Sequence, residues 1–195
     1  HYIRYPATFD HLTKKMHELD DYPHGNLRLT TAFTIQLLNI WHIPDFVKWK
    51  MTNEWKLLNK WPQGGGTIDN HLAYWPPQLN CKALPLEFKK IVTEKYEAFY
   101  PWLEENWALS GAPNKEAFMS NSYTIDRLKG IASFMNAEDW SVRLPETAEW
   151  CYRVAEERDL DFDDMFPELN WLRNYAVFPD GKHLLDASKI NIEMT

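Results

Sequence analysis

Hydrophobic and polar positions alternate from Leu27 to Leu38. Leu27, Leu29, Phe33, Ile35 and Leu37 fall on one side of an extended chain; Thr30, Ala32, Thr34 and Gln36 fall on the other. A period of two predicts a strand. Its second face is small at the start and polar at the end. That suits a barrel strand whose inner face opens into a cavity near its C-terminal end. A second strand is predicted from Thr67 to Trp75. Asp69, His71, Ala73 and Trp75 share one of its faces, and Ile68, Asn70, Leu72 and Tyr74 the other. Neither face is cleanly apolar; by analogy with Ala32, small Ala73 is taken to mark the inward one. Pro76 and Pro77 stop this strand.

Elsewhere the apolar positions recur at helical spacing. Thr8 is a plausible N-cap before Phe9, Leu12, Met16 and Leu19, and Asp20 to Asn26 forms a turn. Ile43, Phe46, Val47, Met51, Trp55 and Leu58 make the buried stripe of a helix with Pro44 in its first turn. Trp61 to Gly66 is a loop. Leu84-Pro85 starts a long helix, with Phe88, Ile91, Val92, Tyr96, Phe99 and Leu103 on one face, that reaches about Trp107. After a break at Ser110 to Asn114 the pattern becomes helices only. Ile125, Leu128, Ile131, Ala132 and Met135 form one, capped by Ser122. Leu144, Ala148, Cys151, Tyr152 and Ala155 form the last, opened by Pro145. Strands separated by a helix imply parallel pairing.

Composition changes this picture in few places. A chain of 195 residues, 45% hydrophobic and 25% charged, holds one domain or one and a half with a real core. Ten Trp is a high count, pointing to thick aromatic packing or to a normally covered surface. A net charge of −7 opposes a nucleic-acid partner. Two cysteines, Cys81 and Cys151, make neither a disulfide framework nor a Cys-rich metal site. No apolar run spans a bilayer and no signal peptide is visible, so a cytoplasmic protein without a membrane partner is expected. The first residue is His rather than Met, as in a fragment or a tagged chain.

The segments IRYPATFDHL, TAFTIQLLNIWHIPDFVKW, NHLAYWPPQLNCKALPLEFKKIV, FMNAEDWSVRLPE and DFDDMFPEL, in that order, resemble the C-terminal portion of radical S-adenosylmethionine (SAM) proteins with a twitch-type C-terminal extension. The resemblance covers Tyr2 to Leu169. It implies an α/β chain: the rear half of a partial parallel β/α barrel over residues 1–108, a helical extension over 109–169, and a tail over 170–195. In that family a CxxxCxxC loop holds a 4Fe–4S cluster that reduces SAM to a 5′-deoxyadenosyl radical. This chain has no such triad, so no cofactor is expected in it, no catalytic residue is assigned, and a fragment inactive alone is implied; SAM and the cluster belong to a full-length relative. By resemblance, Thr34, Gln36 and Asn39 fall where the fifth barrel strand touches SAM, and His71, Tyr74 and Trp75 where the sixth flanks the adenine.

Plainer readings stand beside these. Thr34 and Gln36 could make interior hydrogen bonds, Asn39 could anchor a turn, and His71 could be a hydrogen-bonded strand residue. Asp159, Asp161 and Asp163 have the spacing that opens a calcium loop, but Asp164 stands where Gly is required, so they read as an acidic cap and turn. No residue is assigned to a metal. The alternative function is a non-catalytic α/β binding or assembly protein. An open sheet edge would then allow copies to associate as a homo-oligomer.

Overall fold

The computed structural model describes residues 3, 6–23, 29–58, 69–120 and 123–176. Helix α1 (Phe9–Asp20) begins where Thr8, in extended backbone, accepts the His11 N–H on its hydroxyl at 3.1 Å. Strands β1 (Ala32–Ile35) and β2 (Asp69–Leu72) pair in parallel, with Ala32 opposite Asp69 and Ile35 opposite Leu72. Between them lies α2 (Ile43–Thr52), which buries Ile43, Val47 and Met51. The stripe expected to reach Leu58 is cut short, because Asn53 donates both its backbone and its side-chain N–H groups to the Trp49 carbonyl. Trp55 then folds back, its indole N–H on the Lys50 carbonyl at 3.0 Å.

The long helix α3 (Leu86–Glu105) buries Phe88, Val92, Tyr96, Phe99 and Leu103 of the face its spacing predicts, while Ile91 on that face is half-buried. A short α4 (Lys115–Ser120) follows; Asn114 caps it by accepting the Ala117 N–H at 2.7 Å. Helix α5 (Tyr123–Asn136) buries Ile125, Leu128, Ile131, Ala132 and Met135. Helix α6 (Leu144–Glu157) buries Leu144, Ala148, Cys151 and Ala155. Asp161 caps α7 (Phe162–Met165), taking the N–H groups of Asp163 and Asp164. The acidic cap read from the sequence is therefore what these aspartates build. A 3₁₀ helix, Pro167–Tyr175, runs on past Leu169 and buries Trp171 and Leu172. One hydrophobic core extends from Ile35 through Phe88, Leu103, Phe118 and Leu128 to Leu172, so packing is continuous across residue 108.

The partial barrel is not formed. Of the described residues 67% are helical, and β1 and β2 are the only strands among them, in one open two-stranded sheet. Two four-residue strands cannot close, since closure needs several staggered strands. The early end of β1 is set by Asn39. Its amide donates to the Thr34 carbonyl and its Oδ1 accepts the Gln36 N–H, both at 2.9 Å. The chain therefore leaves the extended state at Gln36 and turns through a 3₁₀ turn, Ile40–His42, into α2. The Tyr96 hydroxyl, buried in α3, fixes that turn by donating to the Ile40 carbonyl at 2.8 Å. The loop Trp61 to Gly66, the Ser122 cap and the first residues of both predicted strands lie outside the described residues.

Candidate functional site

Thr34 and His71 sit opposite each other in the parallel register. Both are exposed, on the side of the sheet turned away from Ile35 and the core. The face expected to line a barrel interior is a solvent face, because helices cover one side of the sheet and no further strand curls over the other among the described residues. Gln36 is buried just past β1. Asn39 is occupied in its turn by the two hydrogen bonds above. Tyr74 and Trp75 lie beyond the end of β2, 63% and 82% exposed. Tyr74 meets the Phe134 ring edge-on at 5.2 Å. Asp69, at the start of β2, takes the Arg127 guanidinium at 2.7 Å, which ties the sheet to α5. Thr34 and His71 are thus brought together across the two strands. A shallow groove of about 570 Å³ lies elsewhere, along α3 beside Leu86, Glu94, Glu97 and Asn136.

Several polar groups inside the fold are matched to structural partners, while the buried Asn80 amide nitrogen has none among the described residues. Lys82 Nζ meets the Glu138 carboxylate and lies over the rings of Phe134 (4.5 Å) and Trp140 (5.3 Å). Lys89, whose ammonium burial pushes down, donates to the Glu138 carbonyl at 2.7 Å. The Tyr152 hydroxyl donates to Asp163 at 2.6 Å, and Arg173 holds the other oxygen of that carboxylate. Burial and then the Asp163 bond push the Tyr152 phenol well up. His42 bridges to Glu168 at 2.6 Å, while Asp45 beside it holds Lys95 at 2.6 Å.

The donor set does not fit an iron–sulfur cluster. Cys81 and Cys151, the only two cysteines of this sequence, are both buried free thiols and fall short of the four thiolates a cluster takes; burial pushes both thiols up, Cys81 to about 12. Thr34 and His71 stand open to water. No three His, Cys, Asp or Glu side chains converge on a metal position among the described residues.

One surface was legible as a helix and not as a site. Phe9, Leu12, Met16 and Leu19 form the apolar seam of α1, and among the described residues the contacts to it lie along one side. On that side Phe9 packs edge-on against Trp49 at 5.3 Å, His17 stacks on Trp55 at 4.5 Å, and Asp20 is buried. Leu12 and Leu19, seven residues apart, remain 48% and 50% exposed. Their i, i+7 spacing puts both on one line along the helix. The spacing alone could not say which edge of the seam the rest of the chain would occupy.

No family model, curated protein or solved structure matches this chain. The radical SAM resemblance therefore stands on the quoted segments alone. No helix among the described residues is long and apolar enough to cross a membrane.

Proposed function

We propose that this chain is a non-catalytic assembly module that associates with copies of itself through the outward side of α1. The observation that carries this reading is the exposure of Leu12 and Leu19 on a helix fixed from its other side by Asp20, His17 and Phe9. A fully buried leucine contributes about 1.5–3 kcal/mol relative to an exposed one, so covering two half-exposed leucines favours association. The sheet-edge route expected from the sequence is opposed on the β1 side. Thr31 and Ile35 direct their carbonyls to β2, so Thr34 directs its carbonyl to the outer edge, where the Asn39 amide already occupies it. Two free thiols suit a reducing cytoplasmic setting, which belongs to the same proposal.

Size-exclusion chromatography with light scattering tests the reading. The wild-type chain is expected above monomer mass, and the double variant Leu12→Glu/Leu19→Glu at monomer mass with unchanged circular dichroism. A wild-type monomer at high concentration would refute it. One observation favours a second reading, a segment of a radical SAM-type protein: β1 and β2 pair in parallel, as barrel neighbours do. Its test is the coding sequence upstream of His1, where a Cys triad is expected and its lack would remove the reading.

A further inference from the structure

We draw no further inference here: the strongest candidate, the shallow groove along α3 beside Leu86 and Asn136, is a solvent-facing surface and nothing in the structure shows what covers it.

Discussion

Asp20 closes α1 by accepting three successive backbone N–H groups, from Lys56, Leu57 and Leu58, at 2.6, 2.8 and 2.6 Å. Burial by itself would raise this carboxyl. The three backbone bonds outweigh it and hold the group below the usual carboxylate range. A folded-state value below the unfolded one contributes stability that is complete above the unfolded value, about 3.9, and is lost as pH falls through the folded value. Asp20→Asn is expected to cost about 1–3 kcal/mol at neutral pH and to flatten the acid limb of the stability curve. Urea titrations from pH 2 to 7 check both; an acid limb identical to wild type would contradict this account. Lys50 works in the opposite direction. Burial pushes its ammonium down to about 7, and it donates to the Thr31 hydroxyl at 2.9 Å. Between about 7 and the unfolded value near 10.4 the unfolded chain binds the extra proton, so stability rises with pH by up to about 1.4 kcal/mol per unit. Lys50→Met should remove that rise, as measured by denaturant unfolding at pH 7 and pH 10. Neither behaviour was legible in the sequence. Asp20 reads there as one acid in a turn, and Lys50 as the polar side of α2; what decides both is burial, Asp20 against distant backbone N–H groups and Lys50 beside the Thr31 hydroxyl.

Among the elements, those with a long helical period were the readable ones. The stripes of α3, α5 and α6 fall where the spacing puts them, because each repeats over enough turns to bury a whole face. The misreadings are short elements and ends. α4 has six residues, too few for a period to show. The apolar alternation of residues 27–38 is genuine, yet among its described residues only Ala32–Ile35 form β1, and Asn39 ends it by offering the backbone a competing turn. The same logic makes the Asp161 cap of α7 testable. Asp161→Ala should cost about 1 kcal/mol. It should also speed hydrogen exchange at the Asp163 and Asp164 amides; unchanged exchange there would show that packing of Phe162, not the cap, holds the turn.

At the scale of the whole molecule, parallel pairing and an enclosing barrel were both expected, and only the pairing is found. Pairing depends on two strands and the helix between them, whereas a barrel depends on strands whose presence no local pattern guarantees. The candidate site fared similarly: Thr34 and His71 do share a face, but whether that face met a cavity or water was a property of the assembled layers. The C-terminal 3₁₀ helix is part of that assembly. Trp171 stands 5.4 Å from Phe88, ring to ring, Leu172 is fully buried, and Glu168 reaches His42. Trp171→Ala is expected to lower stability by about 3–5 kcal/mol, the usual cost of truncating a buried aromatic. Thermal unfolding followed by circular dichroism would read this; a shift within error would show that the segment only decorates a core already complete.

Phe88 has one further consequence, for how the polypeptide is made. Trp41, made earlier, meets it at 6.0 Å from one side, but the indole of Trp171 lies 83 positions downstream, so a growing chain leaves that second side of the ring uncovered until Trp171 has been synthesised. The packing around Phe88 is therefore completed late in synthesis, and the species still waiting for Trp171 is the one a holdase chaperone would engage.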